Sequence, residues 1–158
     1  MVTFERSQDW PLIKSIVTHP KIWPMASDDF SPAPEAWEPI QDERVLNVIA
    51  RDADEVLGLW ILVPHTKVVW QVHTCLLPSG RGKRGRAAVL KAIEWVWANT
   101  ECLRIITEVP LYNSAALLFA LWAGMDKFGV NPKSFMKNGQ LHDVVLLGIS
   151  KEAACQQH

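Results

Sequence analysis

A chain of 158 residues, 49% hydrophobic and 21% charged, is long enough to bury one core and too apolar for disorder. Its 16 Lys and Arg against 17 Asp and Glu give a formal net charge of −1, which excludes a general attraction to nucleic acid or to anionic membranes. No apolar run is long enough to cross a bilayer, and the N-terminal MVTFERSQDW lacks the apolar stretch of a signal peptide, so the expected location is cytoplasmic, with no membrane partner.

Apolar Trp10, Leu12, Ile13, Ile16 and Val17 recur at helical spacing between Ser7 and His19, with Asp9 and Lys14 on the polar side, and predict a first helix. The next stretch, PKIWPMASDDFSPAPEAWEP, carries five of the ten prolines and has no period. It predicts a surface loop with a short helix near Ser27–Phe30. From Arg44 the period changes to two. RVLNVIAR and VLGLWILVP predict strands joined by the turn-prone DADE, with KVVWQVHTCLLP as the next strand of an antiparallel meander.

A helix starting near Arg86 is expected to bury Val89, Leu90, Ile93, Val96 and Trp97 and to pair Lys91 with Glu94 on its outer face. LRIITEV reads as a strand ended by Pro110. Asn113 is placed to N-cap a second helix, SAALLFALWA, with Gly124 as its left-handed C′ residue. Asn138-Gly139, between FGVNPKSFMK and HDVVLLGISK, is the strongest short hairpin signal in the chain.

A strand–helix–strand crossover implies parallel neighbours, so the fold class expected is α/β: one domain over residues 1–158, a mixed sheet with helices on its faces. Trp60, Trp70, Trp95, Trp97 and Trp122 fall on core-like periodicities and read as packing. Cys75, Cys102 and Cys155 form no CxxC and have no His at metal-ligand spacing; they predict reduced thiols, and no metal site.

The stretch PSGRGKRGRAAVLKAIEWVW crowds Arg81, Lys83, Arg84 and Arg86 into six residues, threaded with glycine, between a strand and a helix. Such crowding costs free energy unless an anion relieves it, and a helix start directs backbone N–H groups and the helix dipole at a phosphate. The segment lacks the GKS or GKT of a P-loop and lacks GxGxxG. What remains is a site for a pyrophosphate held but not cleaved, or a solvated basic turn.

These residues resemble those of the GNAT family of acyl-coenzyme A-dependent N-acetyltransferases. That family joins its fourth strand to its third helix by P-x-x-R-G-x-G-x-G/A, and Pro78, Arg81, Gly82 and Lys83 match the first half. In the gapless register the later glycines fall on Arg84 and Arg86; a shift by one residue brings Gly85 and Ala87 onto the pattern. Thr107-Glu108-Val109, Asn113, Ala116 and Gly124-Met125 keep the spacing of the family's fifth strand and following helix. KNGQLHDVVLLGIS resembles the last hairpin of the ribosomal-protein N-acetyltransferase-like branch.

The resemblance implies a mostly antiparallel sheet splayed between its fourth and fifth strands, with acetyl-CoA as cofactor. The cofactor residues it implies are Leu76 and Leu77, through backbone groups, the loop Arg81, Gly82, Lys83, Arg84, Gly85, Arg86 and Ala87, and Asn113. It also implies an amine acceptor, a small molecule or a protein N-terminus, that attacks the thioester directly and needs a base to become neutral. Glu108 and His73 are the candidates, the imidazole having an ordinary pKa of about 6.5. Trp23, Trp37, Asp28 and Asp29 are the candidate acceptor residues. Many family members place an acid-supplying tyrosine seven residues after the Asn; that position is Ala120, and the only tyrosine, Tyr112, is not carried over to the role. Partners beyond the acceptor are left as a homodimer at most, with nucleic acid not expected. A catalytically silent acyl-CoA-binding or partner-binding protein of this fold is the alternative, and nucleic-acid binding through SGRGKRGR a third.

Overall fold

The computed structural model describes residues 1–152; Cys155 lies outside them. Seven strands form one sheet in the order β1-β2-β3-β4-β5-β7-β6. They are β1 (Val2–Arg6), β2 (Leu46–Asp52), β3 (Glu55–Pro64), β4 (Val69–Leu76), β5 (Arg104–Pro110), β6 (Asp126–Lys137) and β7 (Gln140–Ser150). Every pairing is antiparallel except β4 with β5. The helices are α1 (Trp10–Val17), α2 (Trp23–Ala26), α3 (Lys83–Asn99) and α4 (Ser114–Trp122).

Alternation along the strands divides the apolar residues between two cores. Val48, Trp60, Leu62, Val72, Ile105 and Val109 face α3 and α4, while Ile49, Leu59 and Cys75, one residue out of step, face Ile13, Ile16 and Val17 of α1. Ile13, Ile49 and Leu59 are wholly buried, each contributing about 1.5–3 kcal/mol of apolar transfer. Burial pushes the Cys75 thiol up to about 12, so it is an inert protonated core group.

Local signals set most boundaries. Asp9 caps α1, its carboxylate accepting from the Leu12 N–H at 3.0 Å. Asn113 caps α4, and Gly124 follows it at φ 93°. Asn138 and Gly139 both have positive φ, the backbone of a two-residue turn joining β6 to β7. No helix among the described residues is long and apolar enough to cross a membrane.

The structure adds one element and corrects several expectations. The N-terminal residues form β1, an edge strand paired with β2. The short helix of the proline-rich stretch is α2, upstream of Ser27–Phe30, because Pro24 sits in its first turn and the Ser27 hydroxyl closes it on the Trp23 carbonyl at 2.7 Å. Helix α3 begins at Lys83 and buries Ala88, Val89, Ala92, Ile93 and Val96; Leu90, one step further round, is exposed and Trp97 only half-buried. Lys91 and Glu94 form no ion pair, and Trp122 is exposed rather than core.

Candidate active site

Strands β4 and β5 are paired over only three residues, Val69–Gln71 with Arg104–Ile106. The Thr107 hydroxyl then donates to the Val72 carbonyl at 3.1 Å. Beyond that bond β4 stays with β3 as far as Leu76, and β5 stays with β7 as far as Pro110. The sheet opens into a cleft of about 680 Å³ that reaches from the start of α3 to β6.

The opening leaves backbone groups of β4 unpaired. Val69 turns its carbonyl to β3, where it accepts from the His65 N–H, and Val72 turns its own to β5. Alternation therefore directs the N–H and C=O of Thr74 and Leu76 into the cleft. The Leu76 carbonyl accepts from Arg81 Nε at 3.2 Å. Leu77 departs from expectation: its N–H is spent on the Leu57 carbonyl at 3.0 Å, so it has no amide to offer a ligand.

At the α3 end, Gly82 is the N-cap residue at φ 67° and ψ −135°, a conformation open to glycine alone, and a Cβ there would meet nothing within 4 Å. The first helical bond is Arg86 N–H to Gly82 C=O. The N–H groups of Gly82, Lys83, Arg84 and Gly85 have no partner among the described residues. Gly85 is buried against the preceding turn, where a Cβ would stand 2.5 Å from the Gly80 carbonyl oxygen. This packing favours the register that places Gly85 and Ala87 on the glycine pattern. Open space beside Gly82, at a helix start with four free amides, suits a diphosphate.

The basic side chains divide. Arg81 donates to the Leu76 carbonyl and, at 2.7 Å, to that of Lys21, and it lines the cleft. Lys83 has no ion-pair partner among the described residues. Arg84 is turned away from the cleft, onto Glu55 at 2.7 Å and Asp52 at 3.3 Å, and the Glu55 hydrogen bond is the main cause of its raised pKa. Arg86 stacks over Trp122 at 5.4 Å. Ala87 is exposed on α3 and does not line the cleft. Lys21, missed in the sequence, lines the cleft beside Arg81 and Gly82. No local signal marks it, since it lies 60 residues from Arg81.

Across the sheet opening, His73 of β4 and Glu108 of β5 line the same cleft. Desolvation by the cleft walls lowers the His73 pKa from its ordinary 6.5; the Glu108 charge opposes this and His65 adds to it. The imidazole keeps contact with solvent at the cleft while held neutral near pH 7. Asn113 lines the cleft too, with Oδ1 committed to the Ala116 N–H at 3.2 Å. Ala120 puts a methyl group in the wall. The Tyr112 hydroxyl is buried, has no partner among the described residues and lies outside that wall.

The acceptor residues expected from the sequence lie outside the cleft wall. Trp23 and Trp37 pack edge to face, centroids 6.2 Å apart, against the α1 core and outside the cleft wall. Asp28 closes a turn, Oδ1 accepting from the Phe30 N–H and the Ser31 hydroxyl. Asp29 accepts from the N–H groups of Asn138 and Gly139, both at 2.8 Å, and these bonds hold its carboxyl below the usual range. The wall at that end is Met25, Ala26, Gln71, Asn131, Ser134 and Phe135.

No family model and no curated protein sequence matches the chain. Solved structures do. Spermidine N-acetyltransferase from Vibrio cholerae in complex with CoA and spermine superposes with a TM-score of 0.81 over 98% of both chains at 18% identity. The spermidine/spermine N-acetyltransferase of the same organism in complex with manganese ions gives 0.75 over 99% of this chain and 96% of that one, at 17% identity. At such identity the likeness is one of fold: the chain has the GNAT fold, its parallel β4–β5 pair at the splay.

Proposed function

We propose that the protein is an acetyl-CoA-dependent N-acetyltransferase acting on a primary amine. One observation carries the reading: a single cleft runs from Gly82, the first of four free amides at a glycine-bearing helix start, to a histidine and a carboxylate on the two splayed strands. The likeness to acetyltransferases of this fold supports it.

Gly82, Lys83, Arg84 and Gly85 would hold the diphosphate through backbone N–H, with the Lys21 and Lys83 ammonium groups and the Arg81 guanidinium beside it; each charge-assisted bond is worth about 1.5–3 kcal/mol. Thr74 and Leu76 would hold the pantetheine arm, with the Asn113 amide nitrogen at its flank. Bound acetyl-CoA supplies an activated acyl group as a thioester.

His73, neutral at physiological pH, takes the proton that an incoming ammonium must lose, and Glu108 steadies the imidazolium that results. The neutral amine so formed would bond to the acyl carbon as the carbon–sulfur bond breaks. The leaving sulfur would keep the electron pair and take the proton held on His73, while the second proton, shed by nitrogen as the amide forms, would pass to water. A β4 N–H aimed at the carbonyl oxygen contributes about 3 kcal/mol as charge builds there. A thiolate leaves without help from an acid, consistent with a methyl group at Ala120 and a tyrosine outside the cleft wall.

Calorimetry with acetyl-CoA followed by a thiol-release assay over amines and peptides tests the proposal. Binding with turnover is expected. Binding without turnover would favour the silent acyl-CoA-binding protein, for which Ala120 is the one specific observation.

A further inference from the structure

The acceptor end of the cleft limits the charge an acceptor can carry. Glu108 is the one carboxylate that lines the cleft among the described residues. Asp28 and Asp29 lie outside the wall, Asp28 with Oδ1 and Asp29 with both oxygens engaged in turns, and the Lys137 ammonium adds a positive charge near Asp29. The lining cations, Lys21 and Arg81, belong to the anion end, tied to each other through the Lys21 carbonyl.

What faces the acceptor is therefore apolar, from Met25, Pro110, Phe135 and Val144, or neutral, from Asn131 and Ser134. Met25, Asn131 and Ser134 keep this end open to solvent, so an ammonium there gives up part of its hydration and regains most where a carboxylate answers. One carboxylate serves one ammonium, the one that reacts. A second positive charge along the acceptor meets methylenes, a phenyl ring and amides.

Granted the acyl transfer proposed above, we infer that the acceptor is a primary amine with a single positive charge on an uncharged, largely apolar body, and that polyamines are poor acceptors. Two sources share that chemistry: a small aralkyl amine, and a peptide N-terminus with apolar first residues.

The test compares three probes on the full chain at saturating acetyl-CoA: 2-phenylethylamine, a neutral C-amidated tripeptide Met-Leu-Phe, and spermidine. A kcat/KM at least about tenfold higher for one of the singly charged probes than for spermidine is expected, and whichever leads identifies the source. Ser134→Asp places a second carboxylate on an exposed part of the wall and should raise spermidine relative to the better monoamine by about tenfold, with acetyl-CoA affinity in the same variant reporting that it is folded. Preference of the native chain for spermidine, or no change in that ratio in the variant, overturns the inference and leaves the acyl transfer standing. Turnover of none of the three alongside acetyl-CoA binding rejects both.

Discussion

The Thr107 hydroxyl donates to the Val72 carbonyl at 3.1 Å, and this bond is the last tie between β4 and β5 before the sheet opens. A side chain here completes a ladder that the backbone has ceased to extend. Thr107→Val keeps the shape, removes the donor and leaves the Val72 carbonyl without it. A loss of about 0.5–1.5 kcal/mol is expected in urea unfolding, with Thr107→Ser recovering most of it. Equal stability of the Val and native chains would show that the bond does not hold the splay point.

Cofactor affinity should separate the cations by where they point. Lys21→Ala and Lys83→Ala are each expected to raise the Kd for CoA about tenfold, the equivalent of one charge-assisted phosphate bond. Arg84→Ala should change it less than about threefold, since that guanidinium is engaged by Glu55 and Asp52. Titration calorimetry at fixed ionic strength reads all three.

The pH profile should carry the His73 signature. Its folded pKa lies below 6.5, so kcat/KM rises with pH along a limb set below that value and is flat above it. The Glu108 charge raises the His73 pKa, so Glu108→Gln should move the limb to lower pH. His73→Gln should abolish the limb and lower kcat by about 10²–10⁴-fold. Stability obeys the same linkage: the folded state binds the His73 proton less readily than the unfolded chain, so this contribution is complete above about pH 6.5 and is lost as pH falls from there toward the folded value. Chemical unfolding of native and His73→Gln chains across that window should show the difference shrinking.

Asp29 joins two distant segments, its carboxylate on the Asn138–Gly139 turn and its own N–H on the Met136 carbonyl at 3.1 Å. Asp29→Ala should lower Tm and raise KM for the amine while leaving CoA affinity unchanged, because Ser134 and Phe135 near that turn line the acceptor end. The Asp29 pKa is lowered, so its contribution is present above the ordinary carboxyl value of 3.8 and is lost as pH falls through the folded one. Thermal melts of both chains should converge in that acidic range.

Much of the architecture could be read from the sequence because it depends on residues a few positions apart. The period of two in β2 and β3, the Asn113 cap with Gly124 closing α4, and the Asn138-Gly139 turn each specify local backbone geometry whatever lies across the fold. Strand β1 escaped because an edge strand of five residues alternates too briefly to register. The glycine-bearing turn at the start of α3 was also legible, since glycines and a helix start act through their own backbone.

Which side chains lie beside that turn, and which line the far end of the cleft, was decided only when the strands were laid together. Arg84 and Lys83 are neighbours of like charge; Glu55 and Asp52 claim one, and no ion pair among the described residues holds the other. Lys21 reaches the rim through contacts 60 residues apart, and Asp29 is drawn onto a turn 109 and 110 residues away. A charge acts through space and accepts any partner the fold brings near, so its role is set by topology. Backbone conformation is settled by sterics within a few bonds, and for that reason it is already written in the chain.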